Sequence, residues 1–139
     1  MVLTPQFGAR QCFGVILTDA ILIEDKLYEG KSLCKRCYKC VELCPADAIS
    51  KNENISISIE GKTFTWGKIN RLRCDWACKY GLLGDAGPKY FHSKNNFSIP
   101  ENITPEILCE AIKKSDRLQR PGYTGIVEKC FIECPAGKE

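Results

Sequence analysis

Cys34, Cys37, Cys40 and Cys44 fall within eleven positions, and Pro45 follows the last of them. Thiolates spaced C-x2-C-x2-C-x3-C-P suit iron–sulfur ligation. Steps of three let a short loop curl around one face of a cubane, its backbone amides turned toward the sulfides. The fourth cysteine leaves on the start of a helix and faces a different cluster. Proline there fixes the chain direction and gives up a donor that a helix start does not need. A zinc site more usually shows two C-x2-C pairs separated by a longer loop. Cysteines three apart on a tight loop do not easily meet disulfide geometry among themselves. In a reducing compartment such clustering points to metal or redox chemistry.

Two further cysteine pairs repeat part of the pattern. Cys74 and Cys78 stand four apart, like the third and fourth cysteines of the first motif, with Lys68 and Arg71 where the first two would be. Cys130 and Cys134 with Pro135 repeat the C-x3-C-P half. In a two-cluster arrangement this spacing assigns Cys78 to a first cluster with Cys34, Cys37 and Cys40. Cys44, Cys74, Cys130 and Cys134 then hold a second. The plainer alternative is a single [4Fe–4S] cluster plus thiols buried for packing.

The remaining candidates are weaker. Cys12 opens an apolar stretch and Cys109 lies toward the polar side of a helix, so neither is expected to be a ligand. His92, the sole histidine, reads as a surface residue. Gly81, Gly84 and Gly87 lack the strand and spacing of a phosphate-binding fingerprint. Trp66 and Trp76 flank the second cysteine pair; core packing explains them, and they would also keep water from a cluster. Lys31, Lys35, Arg36 and Lys39 surround the first motif, and Lys68, Arg71, Arg73 and Lys79 the second. A solvated surface accounts for these charges. Alternatively, Lys35, Arg36, Lys39, Arg71 and Arg73 raise the potential of an anionic cofactor, or the basic face receives an acidic partner.

The elements that must position these residues follow from patterning. Residues 13–23 are apolar and β-branched enough for one strand or two short ones. Ile55, Ile57 and Ile59 alternate with serines and run through Glu60-Gly61 into Thr63–Trp66, predicting a hairpin over 54–66. A short helix carries Cys74 and Cys78 and is broken at Gly81, Gly84 and Gly87-Pro88. Thr104 as N-cap and Pro105 in the first turn open a helix whose apolar face holds Ile107, Leu108, Ala111, Ile112 and Leu118. A break at Pro121-Gly122 leads into the last cysteine pair. The fold class is therefore α+β: a ferredoxin-like iron–sulfur domain with an inserted β-hairpin and a C-terminal helical extension. The division is an N-terminal strand and linker over 1–30, an iron–sulfur core over 31–90, and the extension over 91–139.

With 139 residues and a formal charge of +3, the chain is one modest domain with little to suggest nucleic acid. No secretory leader and no apolar run of membrane-spanning length is seen, so a cytoplasmic location away from membranes is expected.

Beyond composition, "LTPQFGARQCFGVILTDAILIEDKLYEGKSLCKRCYKCVELCPADAI" resembles the passage from corrinoid-binding to ferredoxin-type domain in epoxyqueuosine reductase-like and reductive dehalogenase-like proteins. "RCDWACKYGLLGDAGPKYF" and "VEKCFIECP" are similar to later parts of that group. The resemblance implies two [4Fe–4S] clusters passing electrons to a corrinoid, with Cys34, Cys37, Cys40, Cys44, Cys74 and Cys78 as matching ligands. The corrinoid domain, with its substrate pocket and catalytic acid, is not represented, so no catalytic residue is assigned. The leading expectation is an electron-transfer protein with one or two [4Fe–4S] clusters and a redox partner protein. The alternatives are an electron-feeding domain or subunit of a corrinoid-dependent reductase, and a zinc-stabilised binding module.

Overall fold

The computed structural model describes residues 2–83, 95–115 and 129–137. His92, Gly84, Gly87-Pro88, Leu118, Pro121-Gly122 and the boundary near residue 90 lie outside the described residues.

Alternation over the isoleucines produces two strands, β1 (Ile49–Ile59) and β2 (Lys62–Ile69), paired antiparallel. Ile55 faces Trp66 and Ile57 faces Phe64, so period two gathers the apolar side chains on one face. On the other face the hydroxyls of Ser56 and Thr65 lie 2.8 Å apart, and those of Ser58 and Thr63 lie 3.0 Å apart. The turn needs left-handed backbone at both central residues, and Glu60 and Gly61 supply φ 50° and 77°. The ladder runs past the expected 54–66 at both ends, with an irregularity between Ile49 and Asn54. Gly67 sits opposite that irregularity, where a Cβ would come within 2.7 Å of the Ser50 carbonyl.

Among the described residues four helices complete the architecture: α1 (Lys39–Glu42), α2 (Arg71–Cys74), α3 (Pro105–Lys114) and α4 (Lys129–Ile132). The described structure is thus α+β with a two-stranded antiparallel sheet. Asn70 caps α2 by accepting from the Arg73 amide, and α2 continues into a π-helical turn over Asp75–Lys79. The Thr104 hydroxyl accepts from the Ile107 amide and opens α3. Leu108 and Ala111 of α3 bury against Trp76 and Leu82, with Leu72, Phe97, Ile99 and Ile103 around them. The Trp76 indole N–H donates to the Phe97 carbonyl at 3.1 Å. Leu82 is fully buried, and Leu82→Ala is expected to cost about 2–5 kcal/mol through lost burial and a cavity. Denaturant unfolding of anaerobically prepared protein reads this; a loss below about 1 kcal/mol would mean the core closes over the site.

The apolar stretch 13–23 departs from its strand expectation. It belongs to no strand, and its large apolar side chains from Phe13 to Ile23 are 59% to 101% exposed. β-branched composition favours an extended backbone, but a strand also needs a neighbour for its amides and carbonyls. Among the described residues none pairs with it. Further along, Lys62 of the hairpin donates to the Tyr28 carbonyl and lies over the Tyr28 ring.

Candidate metal centre

All ten cysteines stand as thiols, and the sequence Cys-Pro-Ala occurs twice, at Cys44–Ala46 and Cys134–Ala136. The first loop is bent by its own backbone. Arg36 and Tyr38 take the left-handed conformation, φ 51° and 58°, on either side of Cys37 at negative φ. Left-handed backbone costs a side-chain-bearing residue roughly 1–2 kcal/mol. Left-handed residues alternating with right-handed ones are the backbone pattern from which anion-binding nests of N–H groups are built. Tyr38 then starts α1 without a side-chain cap, and Cys40 enters the helix half-buried.

Burial pushes the Cys40 thiol above its ordinary range, and Cys34, Cys134 and Cys37 raise it further. The C-terminal turn is therefore beside the first loop, consistent with α1 packing against α4. Its position is fixed from the N-terminus. The Arg10 guanidinium donates to the carbonyls of Cys134, Ala136 and Gly137 at 2.9, 3.0 and 2.8 Å. Gly8 lies so close beneath that a Cβ would stand 1.7 Å from the Ala136 carbonyl oxygen.

Cys44, Cys74 and Cys78 assemble separately. They pack around the buried alanines Ala46, Ala48 and Ala77. The Cys44 sulfur accepts from the Ala48 amide at 3.3 Å. Cys74 and Cys78, four apart across the junction of α2 and the π-helical turn, both reach this cluster. Arg73, the residue before Cys74, donates through Nε to the Ala46 carbonyl at 2.7 Å and through Nη1 to the Pro100 carbonyl at 3.4 Å. Cys130 sits half-buried on α4, four residues before Cys134.

Spacing alone assigns Cys78 to the group of Cys34, Cys37 and Cys40, and Cys134 to the group of Cys44 and Cys74. Cys134 is near enough to Cys40 to raise its thiol electrostatically, whereas Cys78 packs among the alanines with Cys44 and Cys74. Cys12 and Cys109 are exposed, Cys109 on α3 next to buried Leu108. Of the basic residues, Arg71 pairs with Asp75 at 3.1 Å and Arg73 is committed to backbone carbonyls. Trp76 is core, whereas Trp66 lies part-exposed on the hairpin. Patterning missed Gly8 and Arg10. Their signal is the second Cys-Pro-Ala, whose carbonyls need a donor.

Among the described residues no three His, Cys, Asp or Glu side chains meet at one point as a single ion requires. Thiolate donors, a loop bent by left-handed Arg36 and Tyr38, and small buried alanines fit an anionic iron–sulfur cluster, which takes up and releases one electron at a time when bound. No helix among the described residues is long and apolar enough to cross a membrane.

Residues 30–50 match the family model described as a 4Fe-4S binding domain. That match supports an iron–sulfur-binding, electron-transfer role. No curated protein and no solved structure matches the chain.

Proposed function

We propose that the protein is an electron carrier of two-cluster ferredoxin type. Cys34, Cys37, Cys40 and Cys134 would hold one [4Fe–4S] cluster, and Cys44, Cys74, Cys78 and Cys130 the other. The match over 30–50, on a loop bent by left-handed Arg36 and Tyr38, carries this reading. The partition exchanges Cys78 and Cys134 relative to spacing alone, and the packing around Cys40 and Ala77 supports the exchange. The test is iron, acid-labile sulfide and zinc content of anaerobically purified protein, with visible absorption before and after reduction. Iron with matching sulfide and absorption that bleaches on reduction are expected. Zinc without iron would overturn the reading in favour of a zinc-stabilised module.

Within this role the chain's own groups tune the site. The Ala48 amide stabilises negative charge, and Lys35, Arg36 and Lys39 add positive potential around the first loop. Replacing these three with glutamine is expected to lower the midpoint potential of the first cluster by on the order of tens of millivolts. Arg71→Gln is expected to do less, because Asp75 already offsets that charge. Equal shifts in protein-film voltammetry would show that only net charge matters.

A second reading makes the chain the electron-feeding part of an epoxyqueuosine reductase-like, corrinoid-dependent enzyme. The exposed apolar stretch 13–23 favours it, since an apolar segment that pairs with no strand among the described residues suits addition to a partner's sheet. Co-purification with a corrinoid-binding chain, lost on replacing Ile16 and Ile21 with lysine, is the expected result. Retention by the double variant would discard that docking mode.

A further inference from the structure

The two Cys-Pro-Ala turns are built alike. Cys44-Pro45-Ala46 is followed by Asp47 at φ 46°, and Cys134-Pro135-Ala136 by Gly137 at φ 67°. Both alanines are buried. In each, the alanine carbonyl accepts from an arginine supplied by a distant segment: Arg73 Nε to Ala46 at 2.7 Å, Arg10 Nη2 to Ala136 at 3.0 Å. Each guanidinium also donates to a further carbonyl or two, Pro100 for Arg73 and Cys134 and Gly137 for Arg10.

We infer that Arg10 and Arg73 are a matched pair of positioning residues, each latching one Cys-Pro-Ala turn and thereby holding its cysteine toward one of the two clusters. The inference rests on the ligand partition proposed above. Arginine suits the task because its planar fork is always charged and can serve two or three carbonyls from fixed directions. Bonds from a charged donor are roughly twice as strong as neutral ones. A lysine could keep the charge but not the fork.

The platforms differ. Arg73 immediately precedes Cys74, so its latch ties the Cys44 turn to the helix carrying Cys74 and Cys78. Arg10 follows a small closed turn. Thr4 and Gly8 exchange two backbone bonds at 3.1 and 2.8 Å, and the Gln11 side chain donates to the Gly8 carbonyl at 3.1 Å. That turn presses directly on the C-terminal one at Gly8. The N-terminal residues thus hold a distant ligand in place without supplying one themselves.

The test uses full-length protein in two backgrounds. Cys74→Ala/Cys78→Ala keeps only the cluster of Cys34, Cys37, Cys40 and Cys134; Cys34→Ala/Cys37→Ala keeps only the other. In the first background Arg10→Met is expected to speed iron release to a chelator about tenfold, with Arg73→Met within about twofold of its parent. In the second background the two exchange roles. Arginine-to-lysine variants should keep the midpoint potential yet lose the slow release, which separates a fork from a charge. Equal acceleration in both backgrounds would reduce the arginines to general stabilisers and overturn the inference, as would no acceleration in either. Should the backgrounds retain no iron at all, the ligand partition itself fails, and the latches with it.

Discussion

Cys134→Ala is expected to remove the same cluster as Cys40→Ala, and Cys78→Ala the other. Each single variant is expected to keep about four of about eight irons per chain. The double variants separate the groupings. Cys40→Ala/Cys134→Ala keeps about four irons, because both changes strike one cluster, whereas Cys40→Ala/Cys78→Ala keeps essentially none. The ground is the packing: Cys134 raises the Cys40 thiol, and Cys78 shares the alanine pocket with Cys44 and Cys74. Iron and sulfide analysis reads the result directly. The reverse pattern, with iron kept by Cys40→Ala/Cys78→Ala and lost from Cys40→Ala/Cys134→Ala, would return Cys78 to the first cluster.

Removal of the clusters is expected to unfold the parts that hold them. Among the described residues the only large buried apolar side chains are Trp76, Leu82 and Leu108, and the rest are alanines. The turns at Cys44 and Cys134 bury one alanine each, far too little apolar surface to repay the ordering of their loops. Left-handed Arg36, Tyr38 and Asp47 add further cost. Ligand binding must supply the difference, so cluster assembly and folding are coupled. After chelation under oxidising conditions, residues 31–48 and 129–137 should become sensitive to protease and lose their cooperative melt. The Trp76–Leu108 contact, followed by tryptophan fluorescence, should survive longest. An apoprotein that melts within about 5 °C of the loaded form would show that packing alone suffices.

Much of this was legible from residue spacing. The first four cysteines and Pro45 fall within the matched residues 30–50, but the helix expected to start at Cys44 instead ends before it: α1 carries Cys40, and Cys44 follows in a turn that leads into β1. The isoleucine alternation produced a hairpin, since Glu60-Gly61 accepts the left-handed backbone its turn demands. Thr104 and Pro105 opened α3 for equally local reasons. What spacing could not reveal was long-range. Whether Cys78 or Cys134 joins Cys40 depends on how α4 meets α1, a contact between segments about ninety residues apart. Arg10 stands near the N-terminus, and its partners lie at the other end of the chain. Arg73 was counted as a source of positive potential, but its fork is turned to the Ala46 carbonyl. Residues 13–23 carried strand composition without a strand to pair with, and composition cannot provide the partner.

The most direct measurement is electron paramagnetic resonance of the fully reduced, anaerobically prepared protein, integrated against its iron content. Two clusters sharing the alternating cysteines should give about two spins per chain with the broadened features of mutually interacting centres, and Cys78→Ala should collapse these to the simple signal of one isolated [4Fe–4S] cluster. A single isolated spin at about four irons per chain in the unsubstituted protein, unchanged by Cys78→Ala, would contradict the two-cluster assignment.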